Sequence, residues 1–104
     1  MKLVALVCLT GLSVISVSSA YSQEMSPIEW GIDRPGNDIL QFALPRFDPN
    51  LCRDECAVDD QCVAWTYVFS LGGRQNECFL KDAAPAPVLH PGTASGVKTV
   101  LGGP

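Results

Sequence analysis

The spacing of its cysteines constrains the fold of this chain more than any other feature. Cys52, Cys56, Cys62 and Cys78 follow one another with three, five and fifteen intervening residues. Structural zinc sites usually bring cysteines in close C-x2-C pairs, and the only histidine, His90, lies among prolines. The spacing therefore favours disulfide bonds over metal ligation, and we predict neither a metal site nor a cofactor.

The amino terminus has the pattern of a secretory signal peptide. Lys2 precedes an apolar run over residues 3–17, and Ser18-Ser19-Ala20 provides the small residues for cleavage after Ala20. Polar residues interrupt this run, which falls short of the ~20 apolar residues of a membrane-spanning helix. We therefore predict a signal peptide over residues 1–20, a secreted or periplasmic location, and no stable membrane insertion after cleavage. Disulfides form and persist in such oxidising compartments.

The composition excludes some classes of partner. The formal net charge of the 104-residue chain is −4, and an acidic protein is repelled by nucleic acid and by anionic membranes. We therefore predict no nucleic-acid partner. A domain this small also buries little surface and depends on covalent links for stability.

Local patterns predict a single α+β domain. Asp48 and Pro49 are typical of a helix N-cap and first turn, and the acidic pair Asp59-Asp60 favours a helix end near Val58. The proline-rich residues 82–93 are not expected to form a regular central element. Strands are predicted over residues 28–32, 39–44, 62–69, 77–81 and 96–101, so that an antiparallel sheet carries one helix.

The short connection after the helix restricts the disulfide pairing. A helix that turns back within a few residues runs antiparallel to the next strand, which brings Cys56 near Cys62 and Cys52 near Cys78. A Cys52–Cys56 bond within one helical turn has unsuitable geometry, and the crossed pairing would tilt the helix against its own turn. We therefore predict the bonds Cys52–Cys78 and Cys56–Cys62.

Five features of the sequence belong together: GIDRPGND (31–38), the cysteine spacing, AWTY (64–67), CFLK (78–81) and SGV (95–97). In combination they resemble the PAN/apple domain family in its short four-cysteine form, which is found in bacterial exported proteins. The resemblance covers about residues 28–98 and implies a small curved antiparallel sheet with one helix pinned by two disulfides, with the same pairing. It also implies a module that binds proteins or carbohydrates. On this basis residues 21–27 are a leader, residues 28–101 the domain and residues 102–104 a tail.

These patterns predict an exported, non-catalytic binding module for protein or carbohydrate ligands. The alternative is a secreted inhibitor or envelope accessory protein that acts by protein–protein contact. We predict no enzymatic activity, because His90 has no obvious nucleophile as a partner. The acidic residues of the helix are expected to form a solvated face and not a calcium site.

The candidate ligand-binding residues come from the sheet and from two loops. If Cys78 lies opposite Val68, alternation places Trp65 and Tyr67 on the face opposite the helix, where aromatic rings could contact a ligand unless the curled sheet covers them. The turn over residues 33–38 and the loop over residues 70–76 are the next candidates. The weak candidates are Trp65, Tyr67, Arg34, Asn37, Arg74 and Asn76.

Overall fold

A computed structural model of the chain describes residues 22–69 and 76–101. The predicted signal peptide, the candidate Arg74 and the predicted tail lie outside the described residues. Within the described part, no helix is long and apolar enough to cross a membrane.

The described residues form one antiparallel sheet and one helix. The sheet follows the order β1, β6, β4, β5, β3, and β2 pairs with the same edge of β6 as β1. This arrangement confirms the predicted fold class. The elements are β1 (Ser22–Met25), β2 (Glu29–Asp33), β3 (Asp38–Ala43), α1 (Pro49–Val58), β4 (Ala64–Val68), β5 (Glu77–Lys81) and β6 (Val88–Leu101).

Helix α1 has the caps that the sequence predicts. The Asp48 carboxylate accepts a hydrogen bond from the backbone N–H of Asn50 at 2.9 Å, and Pro49 occupies the first turn. The helix ends at Val58, after which Asp59 has an extended backbone. Its buried residues, which face the sheet, are Pro49, Cys52 and Cys56.

Both predicted disulfide bonds are confirmed. Cys52 of α1 is bonded to Cys78 of β5, with their Cα atoms 5.3 Å apart. Cys56, in the last turn of α1, is bonded to Cys62 just before β4, with their Cα atoms 5.2 Å apart. The helix is thus attached to the sheet near both of its ends.

The register of β4 and β5 differs by one residue from the prediction. Tyr67, and not Val68, lies opposite Cys78, and Trp65 lies opposite Leu80. Because Cys78 is bonded to the helix, Trp65 and Tyr67 share the face that α1 covers, and the prediction that placed them on the other face is wrong. Both side chains are 0% exposed, since the largest side chains of β4 fill the space beneath the helix.

Trp65 packs directly over a glycine in the neighbouring strand. Gly96 of β6 lies opposite Trp65, and a Cβ atom added at Gly96 would lie 2.8 Å from the indole Nε1. The absence of a side chain at residue 96 therefore provides the space that the indole occupies.

Strand β6 runs further than predicted, through part of the proline-rich region. Val88 and Leu89 pair with β2, and pairing resumes at Ala94, so that residues 90–93 stand opposite Gly31 alone. Pro91 lies in this bulge, where its missing N–H interrupts no regular ladder with β2. The prediction for residues 82–93 was therefore wrong from Val88 onward.

Residues 22–25, which the sequence predicts to be part of a leader, form strand β1. Met25 pairs with Lys98 near the end of β6. The segment SQEM has no apolar alternation, so nothing in its sequence indicates a strand.

Candidate functional site: a pocket on the open sheet face

The sheet face that α1 does not cover, here called the open face, carries a pocket of about 370 Å³, here called the open-face pocket. Thr66 and Val68 line it because they alternate along β4 with the two buried aromatic residues. Its walls come from the end of β2, the turn before β3, and strands β4, β5 and β6. The lining residues with polar or aromatic groups include Asp33, Asp38, Thr66, Phe79, Lys81 and Thr93.

A buried lysine forms one wall of the open-face pocket. Lys81 is 2% exposed, and its Nζ forms an ion pair with the Asp38 carboxylate and donates to the carbonyl of Gly36 at 3.2 Å. The same Nζ lies 5.9 Å from the centroid of the Phe79 ring. A buried ammonium stays charged only where such partners replace water, so Asp38 compensates the charge of Lys81 and ties the turn to β5.

Asp33 is fixed at the opposite wall. Its Oδ1 atom accepts hydrogen bonds from the Thr66 hydroxyl at 3.0 Å and from the backbone N–H of Arg34 at 2.7 Å. Thr66 is 3% exposed and lies in the central strand β4. The carboxylate therefore has a defined position before any ligand arrives.

The third wall is the bulge of β6. The Thr93 hydroxyl donates to the backbone carbonyl of His90 at 2.8 Å, and the His90 Nδ1 atom lies 3.2 Å from the carbonyl of Pro91. In the described part of the chain, the pocket hydroxyls thus hydrogen-bond to a carboxylate and a carbonyl and not to the imidazole ring. This arrangement differs from the nucleophile–base pair of a hydrolytic enzyme.

An ion pair beside the pocket engages the candidate Arg34. Its guanidinium donates two hydrogen bonds of 2.9 Å to the Glu29 carboxylate and one of 2.8 Å to the carbonyl of Pro85. The Ser95 hydroxyl also donates to Glu29 at 3.1 Å. The hydrogen bonds between these two side chains hold the pKa of Glu29 below its ordinary value and raise the pKa of Arg34. Arg34 therefore links β2 to the segment before β6.

The other described candidates also lie outside the pocket lining. Asn37 has a positive φ of 59°, and its carbonyl accepts from the N–H of Asp82 at 3.1 Å. Asn76 is buried, and its carbonyl accepts from the N–H of Leu44 at 2.9 Å. Trp65 and Tyr67 lie beneath α1, where burial raises the pKa of the Tyr67 hydroxyl.

Sequence reasoning missed the pocket residues of the central strands. Thr66, Phe79 and Lys81 share the open face only in the observed register, and the predicted register was one residue out. The turn over residues 33–38 did point to the pocket, since Asp33 and Asp38 both line it. The size of the two aromatic side chains of β4 was the available signal for the correct register, because two large rings fill a core better than a threonine does.

A second surface feature lies near the start of α1. Trp30 and Phe47 are 62% and 63% exposed, and both pack against Phe69, with ring centroids 6.2 and 5.4 Å from it. We call these three residues the aromatic surface. It is separate from the open-face pocket, because Trp30 pairs with Ala94, which itself pairs with Tyr67 on the helix-covered face.

Comparison with known proteins identifies the family. A family model described as PAN domain matches residues 32–81, a segment that contains α1 and both disulfide bonds. No curated protein and no solved structure shows significant similarity to the chain. PAN domains are generally non-catalytic modules that bind proteins or carbohydrates, and a domain with two disulfides fits an extracellular location. Residues 32–81 therefore form a PAN domain.

Proposed function

We propose that this chain is an exported, non-catalytic binding module that recognises a protein or carbohydrate ligand in the open-face pocket. The observation that carries the proposal is the pocket of about 370 Å³, whose polar groups are already fixed by internal hydrogen bonds. Binding sites are typically concave, with few polar groups placed on a largely apolar wall. Fixed groups lose little conformational entropy when a ligand binds, which favours affinity.

The disulfides support the same proposal. Both bonds lie on the helix side of the sheet, and they hold β4 and β5 beneath α1. The opposite side chains of these strands form the floor of the pocket. In this proposal the mature protein begins at Tyr21, after removal of the signal peptide, and acts outside the cytoplasm. Amino-terminal sequencing of the exported protein tests that point.

A second candidate function is that of a secreted inhibitor or envelope accessory protein. The aromatic surface favours it, because exposed tryptophan and phenylalanine side chains commonly anchor protein partners. Trp30 and Phe47 each expose more than half of their surface.

One substitution in the pocket and one on the aromatic surface distinguish the two candidate functions. Val68→Trp places a large side chain in the pocket from the half-buried β4 position, whereas Trp30→Ala removes part of the aromatic surface. Wild type and both variants are applied to a glycan array and to a pull-down against extracellular proteins. The proposed function predicts that Val68→Trp loses the ligand and Trp30→Ala retains it.

The reverse result, with loss only in Trp30→Ala, supports the inhibitor or accessory function and contradicts the pocket as the ligand site. Thermal unfolding of both variants with disulfides intact is the control for folding.

A further inference from the structure

We infer that the open-face pocket binds a basic side chain, lysine or arginine, of a protein partner. The inference rests on the proposed binding function and specifies its ligand.

The hydrogen-bond donors around the pocket are largely used within the protein. The Thr66 hydroxyl donates to Asp33, and the Thr93 hydroxyl donates to the His90 carbonyl. Lys81 donates to Asp38 and to a backbone carbonyl, which leaves it one N–H. Since the Pro91 carbonyl can only accept, the Nδ1 atom of His90 at 3.2 Å is assigned as a donor to it.

Apart from the remaining N–H of Lys81, the side-chain groups that remain in the described part of the pocket are acceptors. In the described part of the chain, both hydrogen bonds to Asp33 go to Oδ1, so Oδ2 is available to a ligand. The second oxygen of Asp38 and the hydroxyl lone pairs of Thr66 and Thr93 are acceptors as well. Lysine and arginine side chains are donors without any acceptor, so they complement this set. A sugar hydroxyl both donates and accepts, so this set matches its donor better than its acceptors.

The charge of the pocket points to the same ligand. Lys81 is neutralised by Asp38, and Arg34 beside the pocket is neutralised by Glu29. Among the described residues, the hydrogen-bond partners of Asp33 are neutral donors, so no ion pair compensates its charge there. The chain as a whole carries a net charge of −4, which favours the approach of a basic partner.

The apolar wall suits the stem of such a side chain. Val68 and Phe79 line the pocket beside the polar groups. Lysine and arginine bury their methylene stems on apolar surface while the charged end reaches polar partners. The pocket therefore provides both parts of the contact.

The first test titrates the purified oxidised protein with n-butylammonium and, separately, with 1-butanol. The two molecules match in size, but only the first carries a charged donor group. Amide NMR shifts are followed at Thr66 and Val68. The inference predicts saturable shifts with n-butylammonium that weaken as salt is added, and no saturation with 1-butanol. Equal responses to both would overturn it.

The second test compares Asp33→Asn with Asp60→Asn. Both variants lose one negative charge, but Asp60 is an exposed residue in the turn after α1. We expect Asp33→Asn to weaken n-butylammonium binding at least about tenfold, as loss of a charge-assisted hydrogen bond does. Asp60→Asn should bind within about twofold of wild type, as expected of a distant and screened charge. An equal loss in both variants would indicate a general charge effect and contradict the site.

The third test identifies the source of the cation and separates the inference from the proposed function. A blocked tripeptide with a central lysine should shift the same amides, and the acetyl-lysine tripeptide should not. Binding of n-butylammonium without the lysine tripeptide overturns the protein partner. A glycan that binds in the pocket while both cations fail overturns the inference but leaves the proposed function standing. Loss of an identified ligand only in Trp30→Ala, together with failure of both cations, overturns both.

Discussion

Tyr67 lies directly opposite Cys78 in the antiparallel register of β4 and β5, and both side chains face helix α1. Cys78 is bonded to Cys52 of the helix, so the tyrosine ring and the disulfide occupy the same layer. This register determines which side chains of β4 and β5 face the helix and which face the pocket. The large apolar side chains stabilise the helix-covered face, and the alternate residues are left to form the pocket.

The buried position of Trp65 predicts a large loss of stability when it is truncated. Trp65→Ala should lower the free energy of unfolding by about 3–5 kcal/mol, the usual cost of removing a fully buried large aromatic side chain. Trp30→Ala, at a position that is 62% exposed, should cost less than about 1 kcal/mol. Urea denaturation with the disulfides intact measures both values. Similar losses in the two variants would contradict the assignment of Trp65 to the core.

The contact between Gly96 and Trp65 predicts a coupled pair. Gly96→Ala brings a methyl group to 2.8 Å from the indole Nε1 and should destabilise the protein by about 1–3 kcal/mol, as overpacking does. Trp65→Phe shortens the ring, so the added methyl should cost less in that background. A double-mutant cycle on unfolding free energies measures the coupling. Additive losses would show that the two residues do not touch.

Local features of the fold were predictable, whereas the strand register was not. The helix caps and the disulfide pairing depend on short-range spacing around Asp48, Pro49 and the cysteines. The predicted disulfide pairing is correct despite the one-residue error in register. The antiparallel directions of α1 and β4 already determine which cysteines lie close together.

Apart from the size of its two aromatic side chains, β4 gives no sign of the register, because Ala64 and Thr66 are nearly as buried as Trp65 and Tyr67. A strand buried on both faces has no alternation to indicate which residues face the helix. The pocket depends on that register, and so it became visible only in the folded chain. The path of β6 through Pro91 was equally hidden, since it depends on a bulge opposite Gly31.

The ion pair of Glu29 and Arg34 predicts a pH-dependent contribution to stability. The pKa of Glu29 is lowered in the folded state, mainly by the hydrogen bonds from Arg34, relative to an ordinary value of 4.5. Its stabilising contribution is therefore complete above that value and is lost as the pH falls below it. Glu29→Gln should reduce stability by about 1 kcal/mol at pH 7, and the difference should shrink in acid.

The measurement is urea denaturation of wild type and Glu29→Gln from pH 7 down to acid conditions. Glu24→Gln, at an exposed position of β1, is the control and should follow wild type throughout. A difference between wild type and Glu29→Gln that grows in acid would contradict the sign of the effect.

The two disulfides should contribute unequally to stability. They close segments of 26 and 6 residues, for which the chain-entropy estimate gives about 3.5 and about 2.2 kcal/mol. Replacement of Cys52 and Cys78 by alanine should therefore destabilise more than replacement of Cys56 and Cys62. Denaturation of the two double variants tests this order. The opposite order would show that the Cys56–Cys62 bond contributes more than the Cys52–Cys78 bond to holding the helix in place.

The most direct test of the central claim, that ligands bind on the open face, is amide shift mapping with the ligand found in the binding screens. We expect the largest amide shifts at the pocket residues Thr66, Val68, Phe79 and Thr93, and nearly unchanged amide signals at the aromatic surface. Largest shifts at Trp30, Phe47 and Phe69, with the pocket unaffected, would contradict it.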